Sequence, residues 1–176
     1  MKAFTLIEVI MAVTLLAIIL LGGTGLFYQN LKLTGLSDVD SSLTNSLQSV
    51  LRSMEKDIRF GEVTGVGVGT RSDCLLAGDV GYVGNNLYVS DLGGHETVYT
   101  VMNNKIASTS SETNRITYLN TDQITIESLQ FTWYCLAGIS DKIKVAIDAS
   151  SSALGTGTKV EQSVSLEINL LNSGLN

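Results

Sequence analysis

Proline is missing altogether: none of the 176 residues is one. That removes proline-rich spacers and proline-kinked helices, so glycine, with 17 residues, must carry the punctuation. Basic charge is also scarce, 11 Lys and Arg standing against 17 Asp and Glu for a formal net charge of -6. The bases are scattered and usually lie near an acid. Phosphate binding rests on clustered Lys and Arg, so no direct contact with nucleic acid is expected. Histidine occurs once, as His95 in "DLGGHETVY", and G-x-S-x-G is absent. Catalysis needs acid, base and nucleophile together, and this supply is too poor to expect an enzyme or a cofactor. "GVGVG", at Gly65 to Gly69, is not G-x-G-x-x-G and no helical pattern follows it, so it reads as a flexible connection between strands. Asp38 and Asp40 lack the further acids and glycine of a calcium loop, and no metal site is expected.

Cysteine is limited to Cys74 and Cys135, without the C-x-x-C spacing of a zinc or thioredoxin-like site. In an exported body their expected use is a disulfide, closing a loop of about 60 residues worth ~4 kcal/mol on the chain-entropy account. Otherwise they are two buried thiols.

What is abundant is apolar sequence at the N-terminal end. From Val9 to Leu31 there are 23 residues without a charge, enough for about 35 Å of helix against a hydrocarbon core of about 30 Å. The run has no convincing A-x-A-like cut and passes into Gly22, Gly23, Thr24 and Gly25, unlike a secretory signal peptide. Only Lys2 and the α-amine precede it, which puts the N-terminus in the cytoplasm and everything after Lys32 outside. At the head of this run stands Glu8. A carboxylate within a span costs about 2.5 to 3.5 kcal/mol at the centre and usually faces a partner, unless it sits among headgroups.

The run "KAFTLIEVIMAVTLLAII" resembles the N-terminus of type IV pilins and of the pseudopilins of type II secretion. In that family a short basic leader and a small residue precede a Phe, and a polar-apolar-apolar-Glu sequence then opens a long hydrophobic helix. The resemblance implies that a prepilin peptidase cuts between Ala3 and Phe4 and N-methylates Phe4. The family nearly always has Gly before the cut. Ala3 is the smallest replacement, and cleavage is expected to survive it. Glu8 would then meet the new amine of Phe4 on a neighbouring subunit, an ion pair worth more in low dielectric than at a surface. The partners implied are other pilin or pseudopilin subunits, the peptidase, an inner-membrane assembly platform and membrane lipid.

Beyond Lys32 an apolar stripe recurs at Leu36, Val39, Leu43, Leu47, Val50 or Leu51, Met54 and Ile58, the mark of a half-buried helix ending near Gly61. A continuous helix from about Phe4 to Phe60 is expected. The competing reading breaks it at "TGLSDVDSS", with Ser37 as cap and Asp40 three residues on. After Gly61 the period becomes two. "TVYTVMNNKIAS" reads as two strands about an Asn103-Asn104 turn, "RITYL" as a short strand, and "QITIESLQFTWYCL" as a long strand whose phase shifts near Ser128. "KIKVAID" and "VEQSVSLEINLL" alternate clearly, the latter with Val160, Val164, Leu166, Ile168 and Leu170 on one face. Together with "MEKDIRF", this order of elements is similar to the J-type minor pseudopilins and their pilus counterparts.

The expected fold is therefore α+β and pilin-like, a long helix packed on an antiparallel sheet. Its divisions are a leader at 1–3, a transmembrane or filament-core half of the helix at 4–31, an amphipathic half at 32–60 and a β-rich body at 61–176. The function this implies is a structural subunit, minor pilin or pseudopilin, of a type IV pilus or type II secretion-like filament in the cytoplasmic membrane. The alternative is a monomeric, single-pass anchored binding domain facing outward.

Overall fold

Helix α1 runs unbroken from Leu6 to Phe60 in the computed structural model, which describes residues 5–135, 140–152 and 159–171. Threonines in its apolar portion are accommodated by the helix itself. Thr14 donates to the carbonyls of Ile10 and Met11 at 3.0 and 2.9 Å, and Thr24 to that of Leu21 at 3.0 Å. The glycines at 22, 23 and 25 do not interrupt it, nor does "TGLSDVDSS". Asp40, which could have closed a second capping box there, instead accepts from Gln162 Nε2 at 2.7 Å.

The chain forms two compact units, Met1–Asp38 and Val39–Asn176. The described part of the first is the apolar portion of α1, exposed from Thr5 to Leu31. In the second, the remaining turns of α1 bury Leu43, Leu47, Val50, Leu51, Met54 and Ile58, the stripe that the periodicity marks. Each such side chain contributes about 1.5 to 3 kcal/mol when removed from water.

The expectation of one sheet is corrected to two, both antiparallel. β1 (Glu62–Val66), β3 (Leu87–Ser90), β4 (Glu96–Met102), β5 (Lys105–Ser110) and β6 (Ile116–Tyr118) form one sheet in that order. β2 (Tyr82–Gly84), β7 (Ile124–Tyr134), β8 (Lys142–Ser152) and β9 (Lys159–Asn169) form the other. Alternation identifies strands but not their neighbours, and here the chain leaves the first sheet at β2 and rejoins it at β3. Both sheets and the helix share one core, with Tyr99 and Ile106 from one sheet and Phe131, Trp133 and Ile147 from the other.

Two local features follow from residue chemistry. Asn103 and Asn104 have φ of 53° and 58° and join Met102 to Lys105, the left-handed pair that a two-residue hairpin demands. In β7 the register with β8 slips between Ile126 and Ser128, so that Glu127 and Ser128 are both exposed while Leu129 is buried.

Residues 61 to 95, of which the sequence names only the connection at Gly65 to Gly69, contain three strands and, directly after that connection where no helix is expected, the short helix α2 (Arg71–Ala77). Gly67 has φ of +59°, and a Cβ on Gly84 would lie 2.6 Å from Gly67 N, so the end of β1 and the end of β2 touch backbone to backbone. In the second unit α1 and β9 run side by side in the same direction. Asp40 meets Gln162 near one end, and the N–H of Leu171, just past β9, donates to Arg59 O at 3.1 Å near the other.

Candidate assembly segment and a buried charged cluster

The helix portion Leu6–Leu31 is 26 residues long, and by length and composition it can cross a membrane. Among the described residues none covers it: every residue from Leu6 to Leu31 is exposed. A continuous apolar surface of this extent is not stable in water and calls for lipid or another apolar helix around it.

Glu8 is the only charged side chain from Thr5 to Leu31. It is exposed and lies in the first turn of α1. Its N–H donates to Thr5 O at 3.1 Å, and that of Val9 to the same oxygen at 3.3 Å, so Thr5 opens the helix. Thr5 and Glu8 thus stand at the N-cap and third positions with T-x-x-E spacing, the pattern of a capping box, which the sequence reading passed over. A carboxylate there is favoured by the helix dipole, by about 0.3 to 1 kcal/mol. Glu8 therefore has a local use as well as a charge to offer a partner. Ala3 and Phe4 lie outside the described residues.

In the second unit the cysteines are joined, Cys74 on α2 to Cys135 just after β7, with Cα atoms 5.7 Å apart. Both are buried. Beside them is a cluster that sequence spacing did not reveal. Asp141, immediately before β8, is a fully buried carboxylate that receives a forked pair from Arg71, with Nη1 2.5 Å from Oδ2 and Nη2 3.2 Å from Oδ1. The indole of Trp133 donates to Oδ2 at 3.2 Å. A buried carboxylate persists only when its lone pairs are met in this way.

α2 enters this cluster because Thr70 and Asp73 set its first turn: the N–H and hydroxyl of Thr70 both donate to Asp73 Oδ2 at 2.8 Å. Those bonds hold the Asp73 carboxyl below its usual range. "TRSDC" could have marked this helix; its partner in "SDKIK", 70 residues away, could not have been found by spacing.

His95 closes the β3–β4 turn. Its N–H and that of Gly93 donate to Asp91 Oδ1 at 2.9 and 2.8 Å, and its Nδ1 lies 3.3 Å from Asp91 Oδ2. Among the described residues no group of three or more His, Cys, Asp and Glu could hold a metal ion. No family model, no curated protein and no solved structure matches the chain.

Proposed function

We propose that the chain is a subunit, minor pilin or pseudopilin, of a type IV pilus or type II secretion-like filament. The observation that carries this reading is Glu8, the one charge at the head of an apolar helix that is exposed along its described length. The resemblance of "KAFTLIEVIMAV" to prepilin N-termini supports it, as does the continuation of the same helix into an α+β body. The Cys74–Cys135 disulfide suits a body held in an oxidising compartment, with the N-terminus in the cytoplasm.

In this mechanism a prepilin peptidase cuts between Ala3 and Phe4 and methylates the new amine. Cleavage leaves a cation four residues before Glu8. Within one helix the two are near the same end; between staggered subunits the amine of one reaches the carboxylate of the next. The pair neutralises both charges in low dielectric, whereas either left alone is costly. That difference draws subunits from lipid into a filament in one register.

Expression with and without a prepilin peptidase, followed by mass spectrometry of the N-terminus, tests processing. The expected product lacks Met1, Lys2 and Ala3 and carries one methyl group on Phe4. A chain that keeps Met1 beside active peptidase overturns the reading and favours the monomeric anchored domain.

Glu8→Gln separates the two uses of Glu8. Glutamine retains the capping geometry but not the charge, so membrane insertion and the folded body should be unaffected. Incorporation into sheared filaments should fall by roughly two to three and a half orders of magnitude, since breaking a buried pair costs about 3 to 5 kcal/mol. Wild-type incorporation by Glu8→Gln, with loss only in Glu8→Ala, would assign Glu8 to capping instead.

A further inference from the structure

Where α1 ends, a cavity of about 410 Å³ opens between its last turn and the β3–β4 turn, lined in part by Lys56, Asp57, Phe60, Val89, Asp91 and Leu92. Gly61 makes it possible: a Cβ there would lie 2.4 Å from Val89 Cγ1, so only glycine lets the chain leave the helix this close to β3.

Asp57 is held in place from below. Its Oδ2 accepts the Tyr99 hydroxyl at 2.5 Å, and Tyr99 is 1% exposed. Burial, then the bond to Asp57 and its charge, push that phenol far above its ordinary range, so it stays a neutral donor. Among the described residues Asp57 Oδ1 has no hydrogen-bond partner. Asp91 stays ionised, its carboxyl lowered by the N–H of His95 and, less, by the His95 ring and the N–H of Gly93.

The carbonyl end of α1 adds about half a negative charge. Among the described residues Lys56 is the one cation lining the cavity. The site is therefore negative on balance, with walls of half-exposed Phe60 and almost fully exposed Leu92. A ligand suited to it has a cationic head and a long aliphatic stem.

We propose that this cavity receives a lysine or arginine side chain from a neighbouring protein chain, its head at Asp57 Oδ1 and its stem against Phe60 and Leu92. Charge complementarity selects the head, and the two apolar walls select a stem of several methylenes over a bare metal ion or a small anion.

The test uses the full ¹⁵N-labelled chain in nonionic detergent, reading the amide shifts of Gly61 and Gly93. The probes are N-acetyl-lysine methylamide, its arginine counterpart and its norleucine counterpart, which keeps the stem and lacks the charge. Saturable shifts are expected for both cations, with norleucine about tenfold weaker, the scale of a hydrogen bond to a charged group. Asp57→Asn, which keeps an acceptor for Tyr99, should weaken the cations by about the same factor and leave norleucine unchanged.

Equal binding of norleucine, an unaltered cation affinity in Asp57→Asn, or no saturation overturns the proposal. Should Asp57→Asn lose its native fold, the exposed Lys56→Ala decides instead: tighter cation binding supports the site and unchanged binding rejects it. Small amides on isolated chains make this outcome independent of filament assembly.

Discussion

Arg71→Ala is expected to lower the unfolding free energy of the body by about 3 to 5 kcal/mol. The reason is the state in which it leaves Asp141, a carboxylate of 0% side-chain exposure that has lost its forked cationic partner. The cost arises from the stranded charge more than from the lost attraction. A double variant distinguishes these. Arg71→Met with Asp141→Leu removes both charges and fills the space, and it should recover most of the loss, because an apolar replacement of a buried pair is often neutral or stabilising. Urea titration reads both variants. Trp133, the only tryptophan in the chain, is fully buried beside the pair and reports this unit's unfolding by its fluorescence. Equal losses in the single and double variants would sink the stranded-charge account.

The second large effect is removal of the disulfide. Cys74 and Cys135 are separated by 61 residues, and opening a loop of that size costs about 4 kcal/mol on the chain-entropy account. Cys74→Ala with Cys135→Ala should lower the urea midpoint accordingly. Both sulfurs are buried, so dithiothreitol should have no effect on the folded chain and should act only as denaturant opens it. Reduction that precedes the change in Trp133 fluorescence would contradict this. The two losses should not add. Arg71 and Cys74 are on the same turn of α2, and once one fastening is gone the other holds a helix already partly released.

Much of the fold was open to reading where local chemistry decides it. The stripe from Leu43 to Ile58 is set by a helix burying one face, and the Asn103-Asn104 turn by two residues that tolerate left-handed backbone. The bulge before Ser128 showed itself as a slipped alternation, because two consecutive residues point outward there. Residues 61 to 95 were opaque for a different reason. β1, β2 and β3 are short, β1 and β2 each contain a glycine, and what makes them strands is contact with partners elsewhere, such as Gly84 against Gly67. Ser37 and Asp40 made a plausible cap, yet Asp40 is engaged by Gln162, a residue 122 positions away.

The site divided in the same way. Glu8 stood out as a charge in an apolar run, and its T-x-x-E spacing was there to be seen. Arg71 and Asp141 each look like ordinary surface charges in sequence, since only the folded topology buries the carboxylate. Asp57 was hidden too, its role set by a tyrosine on the far strand β4.

The side-by-side course of α1 and β9 has a mechanical meaning. A pull along the helix axis, introduced at the Val39 end, is passed to the sheet through the buried stripe and through fastenings at Asp40 and Arg59. The hydrogen bonds between β8 and β9 lie across that direction, in a register of eleven residue pairs from Lys142↔Asn169 to Ser152↔Lys159 without a slip. Loaded this way the two strands must slide past each other, so their bonds share the strain at once instead of opening one after another like a zip. The body is thereby strongest along the axis of its own helix and weaker to forces that peel β9 from its edge.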